Sequence, residues 1–406
     1  MFDFIENGSV TSVPGFKAAG VTAGFKRSGA PDFAMVYSEV PADFAGVFTS
    51  CTFAAAPVLL CREKVLNVPK MQAFIINSGN ANACTGDAGL DAARKSCEIA
   101  GKALNIPPET VGVASTGRIG VQMDMSLIEK GVALSCAALS SDGGADAARA
   151  IMTTDTVPKA AAATVKLSQG TVTIGLMTKG AGMIDPKLTV PHATMICIGA
   201  TDAAISKAQL QAILAENAEN SFNRITVDGD MSTNDTVVIL ANGVSGVTIA
   251  PGSEDEKLFK EALLALMQNL AKRMVVDGEG ATKCVTVVIN GAVSDADAKL
   301  AAEAIGNSLL CKTAWFGNDP NWGRVVAALG YSGAKIDPAK CDIYFGDTAV
   351  VRNGGDSGVA ESELLDIVKA PEFTIRCELN SGSGSYWIWS SDISYEYVKI
   401  NADYHT

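Results

Sequence analysis

Histidine is almost missing from this chain. His192 and His405 are the only two in 406 residues. A three-histidine zinc site cannot be assembled from them. A Ser-His-Asp triad would have to recruit one of the two, with no GxSxG elbow to present its serine. The P-loop pattern is missing as well, as is a GxGxxG turn between strand and helix. An enzyme built on this sequence is therefore expected to avoid nucleotide cofactors, imidazole bases and bound metal. The ten cysteines (51, 61, 84, 97, 136, 197, 284, 311, 341 and 377) never form a CxxC pair. That spacing excludes the usual structural zinc pattern and a disulfide framework, and predicts reduced, mostly buried thiols.

Two further absences narrow the setting. No apolar run reaches membrane-spanning length, and "MFDFIENGSV" lacks the basic start and apolar core of a signal peptide, so a cytoplasmic location is expected. Basic residues are in the minority, with 32 Lys and Arg against 44 Asp and Glu. The resulting net charge of −12 disfavours nucleic acid or an anionic membrane as a partner and mainly favours solubility.

What is present is a glycine-rich, half-apolar chain long enough for one large or two medium cores. "MQAFIINSGNANACTG" reads as a buried strand running into an Asn- and Gly-rich loop. "GDAGLDAARKSCEIAGKALNI" has apolar residues at helical spacing, and helical patterns recur at 124–139 and 143–152. "ATVKLSQGTVTIGLMTKGAGM" reads as a hairpin turning at Gln169-Gly170. Downstream, "SKAQLQAILAENAENSF", "SEDEKLFKEALLALMQNLAKRM" and "DADAKLAAEAIGNSLL" each predict one helix, the second with acids at its positive end. Helices and strands mix in runs rather than in strict alternation, so the fold class is layered α/β with largely antiparallel sheets.

Four loops could carry chemistry: "NSGNANACTG" (77–86), "ASTGRIG" (114–120), "TKGAGMID" (178–185) and "FGNDPNWGR" (316–324). Turn chemistry explains any one of them taken alone. In the second, Thr116 and Gly117 fall at a strand end, where a hydroxyl and a backbone N–H could hold an oxyanion. The sharper candidate is Thr194 in "VPHATMICIGATDA". A threonine after a small residue could attack its own upstream carbonyl by an N-to-O acyl shift, cutting the Ala193–Thr194 bond. The new N-terminal amine would then serve as base for the same residue's hydroxyl, which removes the need for histidine. A threonine opening a strand is common, however, and by spacing alone the structural explanation is the simpler one.

These stretches, with "GFKAAGVTAGFKRSG", "FAAAPV", "AIMTTDTVPK", "VDGDMSTNDTV", "VDGEGATK", "KTAWFGNDPNWGR" and the terminal "YVKINADYHT", occur in one order along the whole chain. In that order they resemble the ornithine acetyltransferases (glutamate N-acetyltransferases) of arginine biosynthesis. The resemblance implies self-cleavage at Ala193–Thr194, giving an α chain of residues 1–193 and a β chain of 194–406 that assemble as α2β2. It implies an αββα sandwich of the self-processing DmpA/ornithine acetyltransferase type, with a smaller α/β lobe roughly within 285–375. Thr194 would take the acetyl group of N-acetylornithine and pass it to glutamate, with Thr116 and Gly117 holding the oxyanion. Substrate contacts would fall on Thr153, Lys179, Thr194, Glu279, Asn401 and Thr406. Thr153 and its neighbour Thr154 remain alternatives. No metal or cofactor is implied; some members also accept acetyl-CoA as a substrate, which the sequence leaves open.

The stretch "KLTVPH" makes the connection to "ATM" longer than the family's usual two residues, with His192 expected as a loop residue. Rival readings are a related self-processing amidase or aminopeptidase, and an uncleaved amino-acid-binding homologue.

Overall fold

The computed structural model describes residues 1–187 and 195–403, which form two β-sheets with helices packed on them. The first, nine-stranded sheet runs Phe2–Ile5, Lys159–Leu167, Gly170–Lys179, Ile196–Thr201, Thr236–Ala241, Phe33–Phe48, Met71–Asn80 and Val111–Arg118, with Phe16–Val21 also paired to Phe33–Phe48. Most of its neighbours are antiparallel. The exceptions are the pairing of Ile196–Thr201 with Thr236–Ala241 and that of Met71–Asn80 with Val111–Arg118. The expected hairpin is present, with Leu167 opposite Gly170.

The 16-residue strand Phe33–Phe48 is the hinge of this sheet. Its first part pairs with Phe16–Val21 and Met71–Asn80, and its last part pairs with Thr236–Ala241. Between them Glu39, Val40 and Pro41 are exposed and the register slips. Proline has no N–H to give a ladder, so the strand bends there and folds one half of the sheet over the other.

Side-chain alternation shows the layering. Ile196, Ile198 and Ala200 share a core with Val36 and Phe74 of the opposite half, whereas Cys197 joins Val237, Ile239 and Leu176 in a second core. That second core is covered by the helices Lys207–Glu219 and Glu254–Val276. The other outer face is covered by Ala56–Asn67, Gly86–Leu104 and Met125–Ala138. The order is helix, sheet, sheet, helix, as the resemblance implied.

The second sheet has its own core and orders its strands Gly355–Asp356, Thr348–Arg352, Asp342–Phe345, Glu372–Glu378, Cys284–Ala292, Gly384–Ser391 and Ile225–Thr226. It therefore reaches Ser391, beyond the expected 375, and borrows a short strand from the middle of the chain. One helix expected in this region is two. Asp295–Gly306 stops at Asn307, and the Ser308 hydroxyl caps a new helix, Leu309–Phe316, by accepting from Cys311 N–H. A serine competes with the helical backbone for its hydrogen bonds, which favours a fresh start over continuation. All ten cysteines are unpaired and most are buried. Among the described residues no helix is long and apolar enough to cross a membrane.

Lys312 fastens the helix Leu309–Phe316 to the edge of the second sheet, where Gly384–Ser391 pairs with Ile225–Thr226. Its side chain is wholly buried, and Nζ donates to Val227 O (2.9 Å), Ser390 Oγ (2.8 Å) and Ser391 O (2.7 Å). Burial pulls its pKa down to about 7, against the opposing pull of Asp228, Asp392 and Asp185. Between about pH 7 and the ordinary 10.5, the unfolded chain binds a proton that the folded chain has released, so stability from this residue rises with pH across that window. Lys312→Met should destabilise the protein by roughly 2–4 kcal/mol, because three buried acceptors lose their donor. In denaturant titrations the gap between parent and variant should be wider at pH 9 than at pH 7. A gap independent of pH would show that the ammonium is not desolvated as described.

Candidate active site

Residues far apart in sequence meet at the strand ends of the first sheet. A cavity of about 110 Å³ is lined by Thr116, Gly117, Thr153, Thr154, Lys179, Glu279 and Asn401, together with Met195 and the loop 232–235. Six positions expected from the sequence, Thr116, Gly117, Thr153, Lys179, Glu279 and Asn401, are thus brought together. Ala193, Thr194 and Thr406 lie outside the described residues, as do His192 and His405. The residue that follows Thr194, Met195, is buried on the cavity wall, and its carbonyl accepts from Thr236 N–H at 2.5 Å.

Two glycines shape this wall. Gly117, with φ +127°, lies opposite Gly79 where the strands Met71–Asn80 and Val111–Arg118 end. A Cβ on Gly117 would stand 2.4 Å from the Gly79 carbonyl carbon. Only glycine permits both the dihedral and the approach. Gly182 makes room in the same way for Glu279, whose Cδ would be 2.3 Å from an added Cβ.

Lys179, at the end of Gly170–Lys179, is only 9% exposed, and its Nζ donates to Thr116 Oγ1 at 3.4 Å. An ammonium can only donate, so the Thr116 oxygen accepts and its own proton stays available to the cavity. Burial lowers the Lys179 pKa, Asp155, Asp235 and Glu279 raise it, and Lys159 lowers it further. Glu279 Oε2 accepts from the Asn401 side-chain amide at 2.7 Å. That bond attaches the C-terminal helix Tyr395–Asp403 to the cavity, in a region where a chain end would otherwise fray.

The sequence reading missed the group that organises this centre. Asp155 is buried beside Lys179 and accepts from Gly180 N–H (2.7 Å), Thr153 N–H (3.1 Å) and Lys159 Nζ (2.8 Å). Burial alone would push its carboxyl up. The charges of Lys179 and Lys159 and the Gly180 N–H outweigh burial and hold it at about 2. Lys159 is itself fully buried and pairs with Asp277 at 2.5 Å. A single carboxylate thus fixes both the Thr153 loop and the Lys179–Gly180 loop. Its signal, an acid between two threonines in "MTTDTVPK", is indistinguishable from a turn residue until Lys179 and Gly180 arrive from elsewhere.

Asp228 has a similar office, accepting from Met183 N–H (2.6 Å) and Ile184 N–H (2.9 Å) and holding Met183 at φ +55°. Burial raises its pKa, against the backbone N–H groups that lower it.

The four candidate loops separate clearly. "ASTGRIG" and "TKGAGMID" line the cavity. "NSGNANACTG" builds its frame: Ser115 Oγ bonds Asn77 Oδ1, Asn77 donates to Asn80 O, and Asn234 reaches across to Ala81 O and Ser115 O. "FGNDPNWGR" is a turn between two helices, with Asn321 capping the second, and contributes nothing to the cavity. Among the described residues no cluster of His, Cys, Asp and Glu could hold a metal ion.

Replacing Asp155 with Asn should be severe. It leaves two buried ammonium groups facing a neutral amide, which costs about 3–5 kcal/mol. In the parent, the carboxylate's contribution is complete above the ordinary value of 3.8 and is lost as pH falls through about 2. Urea titrations of the variant should show a reduced midpoint at neutral pH and less acid sensitivity below pH 4. A parent-like midpoint would refute the role given to this carboxylate.

Known proteins resemble this chain over nearly its whole length. The ArgJ family model matches residues 17–406. The arginine biosynthesis bifunctional protein ArgJ of Symbiobacterium thermophilum is 47% identical over 402 residues, covering 98% of this chain and 99% of its own. The Geobacter sulfurreducens protein of the same name is 44% identical, covering 97% of this chain and 100% of its own. Among solved structures, ornithine acetyltransferase from Mycobacterium tuberculosis, complexed with ornithine, is 41% identical over 47% of this chain and 100% of that one, with a TM-score of 0.43. With a family match across nearly its whole length and curated relatives at this identity, the chain belongs to the ArgJ family.

Proposed function

We propose that this protein transfers the acetyl group of N2-acetyl-L-ornithine to L-glutamate in arginine biosynthesis, through an acetyl ester on Thr194. The observation that carries the reading is a buried cation and a buried acid facing one small cavity, Lys179 and Glu279. Donor and acceptor share an α-carboxylate, which a point charge such as Lys179 can hold in either half-reaction. Glu279, kept in place by Asn401, suits the ammonium of the ornithine side chain. Thr153 lies on the same wall, and Thr406 would close the site from the C-terminus.

In this mechanism the chain is first cut between Ala193 and Thr194. The freed α-amine, with an ordinary pKa of about 7.7–8.0, takes the proton from the Thr194 hydroxyl as that oxygen attacks the acetyl carbon. The Thr116 hydroxyl and Gly117 N–H stabilise the tetrahedral oxyanion. Collapse breaks the C–N bond, ornithine leaves with the proton, and the acetyl group remains as an ester. The amine of glutamate then attacks the ester through the same oxyanion site, giving N-acetylglutamate and restoring the hydroxyl. The chemistry calls for no cofactor. Acetyl-CoA could load the same threonine, the second activity that a bifunctional member would have.

Cutting the chain need not separate its parts. Ile196–Thr201, downstream of the bond, lies between Gly170–Lys179 and Thr236–Ala241, so strands from both sides of the bond alternate in one sheet. We read the product as α and β chains held by that shared core, pairing further to α2β2 and acting in the cytoplasm.

Intact-mass spectrometry of purified protein should give two masses for the parent and one for Thr194→Ala. An uncut parent with full acetyl exchange would rule the mechanism out. Release of free acetate with no amino-acid acceptor would instead select an amidase. Lys179→Met should lower kcat/KM for N-acetylornithine and glutamate alike, by about 100-fold, since each loses a charge-assisted contact. Glu279→Gln should act mainly on the ornithine side. A Glu279→Gln effect equal on the two substrates, or a Lys179→Met effect confined to one, would contradict the assigned contacts.

A further inference from the structure

A second cleft shares a wall with the first. Thr153 lines both, and Arg118, on the second, follows Gly117 in the chain. Gly79, opposite Gly117 at the strand ends, also lines it. The second cleft is far roomier, about 540 Å³ against 110 Å³.

Its charge is the reverse of the protein's. In a chain with net charge −12, this cleft is lined by Lys26, Arg27 and Arg118, with Asp124 the sole acid among the described residues. That acid is already engaged, its carboxylate accepting from Ser126 N–H (2.9 Å) and Ser126 Oγ (2.6 Å) at the start of a helix. Arg27 and Arg118 are exposed, and among the described residues neither guanidinium has a hydrogen bond or an ion pair. Lys26 is half-buried, donates to Pro31 O at 2.6 Å, and lies within electrostatic reach of Lys179. Two arginines without a partner, beside a lysine and next to a reaction cavity, make a basic surface suited to a ligand carrying several negative charges.

Neither amino-acid substrate fits that description. A single α-carboxylate needs one cation, which Lys179 supplies in the first cavity. Phosphates need several, and guanidinium forks match their oxygens.

We propose that this cleft binds the phosphate-bearing nucleotide tail of acetyl-CoA, laying the thioester over the Thr153 wall so that its acetyl group enters the first cavity. The assignment rests on the reading that Thr194 is acetylated there. The Thr194 oxygen forms the new C–O bond, the C–S bond breaks, and the departing thiolate takes the proton that left the hydroxyl, so free CoA thiol is released. Exchange between N-acetylornithine and glutamate does not use the second cleft.

The test is calorimetric titration of free CoA into the full-length protein and into an Arg27→Gln/Arg118→Gln double variant, with acetyl exchange assayed in parallel. CoA should bind the variant at least about tenfold more weakly, as expected for lost charge-assisted phosphate contacts. The deficit should shrink at high salt, and N-acetylornithine–glutamate exchange should be unchanged. On the parent alone, 3′-dephospho-CoA should bind more weakly than CoA, a comparison that does not depend on a variant folding. S-acetylpantetheine, which lacks the nucleotide and its phosphates, should acetylate parent and variant equally. Equal CoA affinity in parent and variant overturns the assignment, as does a parent that exchanges acetyl groups yet binds no CoA. Pyrophosphate binding as tightly as CoA would also overturn it, leaving a general anion site. Failure of acetyl exchange in the parent would count against Thr194 chemistry, while the CoA titration would still decide the cleft.

Discussion

Asp155 must stay ionised in the interior, between two lysines. Lys179 can present a cation to a small cavity only because a carboxylate lies behind it, and that carboxylate is shared with Lys159, which is in turn paired with Asp277. The alternation of charge from Lys179 to Asp277 offsets a desolvation penalty that no isolated ammonium could bear. It also has a geometric product. Asp277 closes the helix Glu254–Val276 and stands two residues before Glu279, so the segment that ends the charge relay also delivers the acid facing Lys179.

Around this relay the backbone does as much as the side chains. Gly79 and Gly117 let two strand ends come closer than any Cβ would allow, and Gly182 opens the space filled by Glu279. Where the strand Met71–Asn80 ends, asparagines satisfy the turning backbone, Asn77 donating to Asn80 O and Asn80 Oδ1 accepting from Asn82 N–H. The second sheet, though it has a separate core, bears on the site through Lys312. That side chain holds Val227, and the next residue, Asp228, holds Met183 and Ile184.

Much of the architecture could be read in advance because it depends on local periodicity. The hairpin at Gln169-Gly170 and the long helix ending near Met274 follow from the spacing of apolar residues and from capping chemistry. Where two local preferences compete, the reading was less sharp. Nothing in "AIGNSLL" states that the Ser308 cap prevails over the continuing helical pattern.

The sequence by itself determined which loops could act and which residue types they hold, because glycine, threonine, lysine and glutamate keep their chemistry wherever they fall. It also pointed to an active centre free of histidine. Only the tertiary structure decided which of those loops share a cavity and which merely turn the chain, since "FGNDPNWGR" and "ASTGRIG" look equally suited until the sheets are folded over one another. The tertiary structure likewise picked Asp155 from 44 acids. A carboxylate's role is set by the charges and N–H groups that surround it after folding, and those come from strands and helices up to 122 positions further along the chain, as when Lys159 meets Asp277 or Asn401 meets Glu279. Local sequence does not encode such distances; packing does.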